Sequence, residues 1–180
     1  MTTRLLPFIP PGAGPGDPQR VASIAAYCRL MIDDEARRTA EGVEAIRGRQ
    51  AHVDLVALGI AEANLNNLAL GDNAKNGTPL GTIIRPGGVP IDLHFSVGIG
   101  WLQHDSGWLL ADEIVNGVDW DMQWIREDPA YSIDLLLRRP GFVVHQGPGG
   151  TFLDMSAWAA YKKSRRYVAE VDGIYSTVLG

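Results

Sequence analysis

Apolar residues recur at helical spacing over most of the chain. Ile24, Tyr27, Cys28, Met31 and Ile32 repeat at three- and four-residue steps and form one stripe. Ahead of them, Asp17-Pro18 joins an N-cap side chain to a proline at the first helical position. The spacing predicts a helix over 18–46, with Gly42 and Gly48 as candidate breaks and Asp33-Asp34-Glu35 and Arg37-Arg38 as its charged outer face. A second helix is expected over 50–65, where Leu55-Val56-Ala57-Leu58-Gly59-Ile60-Ala61 runs unbroken into Glu62. Residues 71–90 change character: Asn76-Gly77 and Pro86-Gly87-Gly88 are turn signals, flanking short strands at 82–84 and 91–95. Asp105 or Ser106 caps a helix through Val115 that Gly117 ends. A short helix follows at 119–126, and Asp128-Pro129 repeats the capped start for a helix stopped by Pro140-Gly141. Gly147-Pro148-Gly149-Gly150 reads as a loop, and Asp154 or Ser156 opens a last helical pair at 157–161 and 167–175. The expected fold class is mainly α with a small β-hairpin or irregular lobe. Residues 1–18, dense in Pro and Gly, read as an extended N-terminal arm or linker, and 19–180 as one domain.

Composition narrows the function classes. The chain of 180 residues is long enough for a substantial core, and its 46 % hydrophobic content is that of an ordinary globular protein. A net charge of −5 argues against nucleic acid as partner, since such binders carry a basic field. The single cysteine, Cys28, sits in an apolar helical stripe and leaves no pair for a disulfide or a thiolate metal cluster. No apolar run is long enough to span a membrane. The first residues, broken by prolines, do not read as a signal peptide. His52, His94, His104 and His145 lack metal-ligand spacing, Gly98-x-Gly100 lacks a dinucleotide fingerprint, and Gly-x-Ser-x-Gly is absent. No metal or cofactor is therefore expected.

Glu62 is the residue with a chemical suggestion. Leu55, Leu58 and Gly59 share its helical face, and a carboxylate at the end of such a stripe is costly to ionise. A raised pKa lets a carboxyl group act as a general acid near neutral pH. The competing reading is a core helix whose terminal acid reaches solvent.

Glu62-Ala63-Asn64-Leu65-Asn66-Asn67, followed by Gly98-Ile99-Gly100-Trp101-Leu102-Gln103, resembles the catalytic core of the lysozyme-like superfamily. Its nearest members are lytic transglycosylases and goose-type lysozymes. Glu62 matches the family's acid, Asn66 the following Asn, and Gly98, Gly100 and Gln103 the segment lining its sugar cleft. Asp105 resembles the second acid of goose-type lysozymes. Ala157-Trp158-Ala159-Ala160-Tyr161 and Tyr167-Val168-x-x-Val171 look like the closing helices of the transglycosylases. Ala63 stands where Ser is usual, and residues 71–90 are a long insert.

The resemblance implies a lysozyme-like domain cleaving the β-1,4 bond between N-acetylmuramic acid and N-acetylglucosamine in peptidoglycan. Glu62 and Asp105 are then catalytic. Gln103, Gly100, Trp101, Tyr161 and Asp92 are candidates for substrate binding, Asp92 also as a spare carboxylate. The expected partners are peptidoglycan glycan strands and other phage tail or lysin modules. The expected location is a phage virion or the host cell envelope. Asp105 has a second reading as the N-cap of the helix that follows it. Trp101 and Trp108 have a second reading as core, and the basic run Lys162-Lys163 and Arg165-Arg166 reads as a solvated face. Two rivals stand beside hydrolysis: a transglycosylase leaving 1,6-anhydro sugars, and a non-catalytic wall-binding or tail module.

Overall fold

Capping chemistry sets the first helix, α1 (Pro18–Glu41). The Asp17 carboxylate accepts from the N–H groups of Gln19 and Arg20 at 2.8 and 3.3 Å. Gly42, with φ of 70°, ends the helix in the left-handed conformation that glycine adopts without strain. The helix therefore stops short of the expected residue 46, and Ala45 and Ile46 turn into the core as loop residues. The expected charged outer face is partly internal. Asp34 and Arg38 are buried, paired at 2.8 Å, and Arg38 also reaches Asp134 at 3.1 Å. The computed structural model describes residues 5–71, 81–84, 88, 90–93, 97–138, 144–147, 150–153 and 161–180.

The second helix, α2 (Arg49–Ala63), is the axis of the molecule. Every residue from Ala51 to Ile60 except Asp54 is buried, so it has no single apolar stripe. It runs back along α1. His52, near its start, lies 2.9 Å from Glu35, while Trp101 packs on Gly59 near its end, its ring tilted against that of Tyr27 of α1 with centroids 4.8 Å apart. The helix closes through Asn64 and Leu65, both left-handed, with Leu65 N–H donating to Gly59 O. A left-handed leucine is strained, and its complete burial holds it there.

Against α2 pack α1, α6 (Tyr161–Ser164), the 3-10 turn Arg165–Tyr167 and α7 (Val168–Leu179). Three further helices follow the strand-bearing stretch, α3 (Ser106–Asn116), α4 (Met122–Glu127) and α5 (Pro129–Arg138), and α5 also gives Ile133 and Leu136 to the main core. Their contacts form a smaller core of Ile99, Leu109, Ile125 and Leu135. Asp105 and Gly117 cap α3, and Asp128 accepts from Ala130 N–H at the start of α5, as the sequence predicts.

Among the described residues the strands form three two-stranded antiparallel pairs. β1 (Gly81–Ile84) faces β2 (Pro90–Leu93), close to the expected pair. β3 (Gly98–Ile99) faces β4 (His104–Asp105), and β5 (Val144–Gly147) faces β6 (Gly150–Leu153) around the expected loop. The fold is mainly α with small β-hairpins. No helix of the described residues is long and apolar enough to cross a membrane.

The N-terminal stretch is not a free arm. Ile9 is buried in the main core, and its N–H donates to Asn64 O at the end of α2, at 2.9 Å. Leu6 and Ala13 pack on the same core. Residues 5–16 lack helix or strand, yet they are tied down by apolar burial and a backbone bond to the end of α2.

Candidate functional site

Glu62 is the penultimate residue of α2, and its side chain is half-buried. Burial pushes its carboxyl above the usual glutamate range, and the nearby Lys163 pulls it part of the way back. Lys163 arrives on α6, which begins at Tyr161 and packs on α2. Tyr161 itself is half-buried against the main core.

A second carboxylate on α2 behaves alike. Asp54 is raised chiefly by burial, against a 2.8 Å hydrogen bond from Gln50 and the charge of Arg165. Asp54 and Glu62 are eight residues apart, hence on one helical face about 12 Å apart along the axis. The segment from Tyr161 to Tyr167 lays one cation near each acid. Sequence reasoning missed both Asp54 and Lys163. The eight-residue spacing was the available signal for the first; the second was hidden in a basic run read as solvated.

The Gly-x-Gly-x-x-Gln segment forms the β3–β4 hairpin and its turn. Gly98 is bare because the Gln103 amide lies over it: a Cβ there would sit 2.4 Å from Gln103 Oε1. The same oxygen leaves no room for a Cβ at Gly71. Gln103 adopts φ of 49°, and its Nε2 donates to Gly100 O at 2.9 Å. Gly100 has φ of 75°, with Ile125 packed where a side chain would go. This hairpin is stitched to the residues after α2: Leu70 bridges Ile99, and Gly100 N–H donates to Ala69 O at 3.0 Å.

Several expected site residues are thus placed elsewhere. Trp101 is fully buried; its Nε1 donates to Pro129 O at 3.2 Å and its ring lies on Gly59. It cannot stack on a sugar, and the core reading is the correct one for it. Gly100 is buried, with Ile125 packed against it. Asp105 is the N-cap of α3, accepting from Gly107 and Trp108 N–H groups at 2.9 and 3.1 Å. Gln103 has its amide engaged by its own turn. Asn66 accepts from Leu68 N–H in an Asx turn at 3.0 Å. Asp92 stands opposite Thr82 in the β1–β2 pair. Residues 154–160, including most of the expected Ala-Ala-Tyr helix, lie outside the described residues. Trp108, the other candidate aromatic platform, is exposed on the first turn of α3.

Glu62 and Tyr161 are brought together at the level of their helices, since α6 packs on α2. One cavity of about 420 Å³ lies along α1 and another of about 810 Å³ at its end, and Glu62 borders neither. Comparison with family models, with curated proteins and with solved structures returns no match.

Proposed function

We propose that the protein is a peptidoglycan-degrading glycosidase, with Glu62 as the general acid on the oxygen between N-acetylmuramic acid and N-acetylglucosamine. The observation that carries this reading is the state of the Glu62 carboxyl. It closes a helix buried on nearly every side, and burial holds it toward the protonated form. Protonating the glycosidic oxygen breaks its bond to the muramic-acid C1 and leaves an oxocarbenium-like sugar. Lys163 stands near the carboxylate that remains, and an adjacent cation stabilises that form.

One observation favours the route that needs no second carboxylate. Asp105, the best match to a water-activating acid, accepts two backbone N–H groups as a helix cap. In the transglycosylase route the sugar's own 6-hydroxyl attacks C1 while Glu62 takes its proton, giving a 1,6-anhydro end. The test is lysis of purified cell walls by the parent and by Glu62→Gln, with mass spectrometry of the products. Lysis by the parent, lost in the variant, is the expected result. Undiminished lysis by Glu62→Gln would remove Glu62 from the chemistry.

A further inference from the structure

The larger cavity lies where the end of α1 meets α4 and α5. It is far from the candidate acid in the fold. Its α1 residues, Arg37, Arg38 and Glu41, adjoin the start of α2, whereas Glu62 closes the other end of that helix. Its volume of about 810 Å³ is within the range of small-ligand sites.

Its lining combines two aromatic rings with fixed donors and acceptors. Trp124 is 38 % exposed, and its indole N–H has no hydrogen-bond partner among the described residues. A partly exposed tryptophan in a cavity wall is a natural platform for an amphipathic ring. Tyr131 is held in place: its hydroxyl accepts from Asp121 N–H at 3.2 Å, and the Arg138 guanidinium lies 5.5 Å from its ring centroid. Asp134 is gripped by Arg38 at 3.1 Å and by Arg138 at 2.8 Å. Arg37 is braced by Asp34 and Glu41 at 2.7 and 2.9 Å. These ion pairs fix the polar groups before any ligand arrives, so little ordering remains to oppose binding. The mixture of signs does not suit a strongly charged ligand. Carboxylates and guanidinium forks set beside aromatic faces suit sugar hydroxyls and the apolar faces of sugar rings.

We propose that this cavity is a second, non-catalytic saccharide site, taking a short segment of an N-acetylated glycan. The choice of N-acetylated glycan rests on the glycosidase reading; the presence of a saccharide site rests on the cavity alone. A site at the opposite end of α2 from Glu62 would hold wall glycan while the acid works on another stretch.

The experiment is calorimetric titration of the full chain carrying Glu62→Gln with the tetramer of N-acetylglucosamine. The same titration is made after adding Trp124→Leu, which keeps apolar bulk and removes the ring. Melting curves show that both variants are folded, and wall lysis by the unmodified chain is measured in parallel. Loss of the ring should weaken binding about tenfold, the usual effect of removing an aromatic anchor. No binding, or binding that Trp124→Leu leaves untouched, overturns the proposal. Lysis without Trp124-dependent binding would sink this site and spare the glycosidase reading. Trp124-dependent binding without lysis would do the reverse.

Discussion

Two regions answer to the same resemblance and differ in what their polar groups are free to do. At the end of α2, the Glu62 carboxyl is half-buried with Lys163 near it, and burial is the main influence on its charge. In the β3–β4 hairpin, the polar groups are engaged by their own turn. Gln103 Nε2 is spent on Gly100 O, and Asp105 Oδ1 on two backbone N–H groups. A motif match reports which residue types stand at which spacing. It does not report whether local folding has already consumed their hydrogen-bonding capacity. A short Gly-rich turn uses its own side chains to satisfy its backbone, whereas the end of a buried helix has little local use for an acid.

The sharpest break between the two regions is in rate. Glu62→Gln should reduce wall lysis by about 10²–10⁴-fold, the usual worth of a positioned acid. Folding should survive, and the direction of the pKa shift says more. A carboxyl raised by burial binds its proton more tightly in the folded state, so its contribution falls away as pH rises through the folded pKa. Gln removes that penalty. The melting temperature of Glu62→Gln at neutral pH should therefore equal or exceed the parent's; a marked drop would make Glu62 a structural residue.

The next effect belongs to the hairpin and is one of stability. Trp101→Ala removes a fully buried ring that fills the space above Gly59 and touches Tyr27. The expected cost is about 3–5 kcal/mol, read from denaturant unfolding. If the variant unfolds no more easily than the parent, the ring is not the wedge between α1 and α2 that the packing indicates.

Much of the architecture was legible because it rests on local chemistry. Asp17, Asp105 and Asp128 cap helices through backbone N–H groups two or three residues away, and Gly42 and Gly117 end them. Such bonds need no knowledge of the rest of the fold. Another set of misplacements involves distant partners. Ile9 docks on Asn64, the Gln103 amide covers Gly71, and Arg38 finds Asp134 on another helix. The environment of Glu62 is of the same kind, because Lys163 lies a hundred residues further along the chain. The apolar run before Glu62 was visible, and the neighbours that close over it were not. Asp105 was the legible ambiguity: its capping role was as readable as its catalytic one, and the cap is what the hairpin forms.

That ambiguity can be separated by a pair of substitutions. Asn caps a helix about as well as Asp, and Ala does not. Asp105→Ala should lose about 1 kcal/mol, and Asp105→Asn almost nothing. If Asp105 is only a cap, lysis by Asp105→Asn stays near the parent's and the products end in 1,6-anhydro-muramic acid. A stable Asp105→Asn variant with little activity, from a parent that makes reducing ends, would restore it as the second acid.

The smallest effect tests the electrostatics at α2 itself. A general acid must be protonated, so lysis declines as pH rises through the Glu62 pKa. Lys163 lowers that pKa against the larger rise from burial. Replacing Lys163 with Gln removes that stabilisation of the carboxylate, and the alkaline limb of the pH profile should move upward. The shift should be small, because Lys163 is exposed and solvent screens it. The neighbouring Lys162 is also exposed. Lys162→Gln is therefore the control that carries the same change in net charge. If both variants moved the limb equally, the cause would be the overall attraction between protein and wall. A shift confined to Lys163→Gln ties the active carboxyl to the face of α2 that α6 covers.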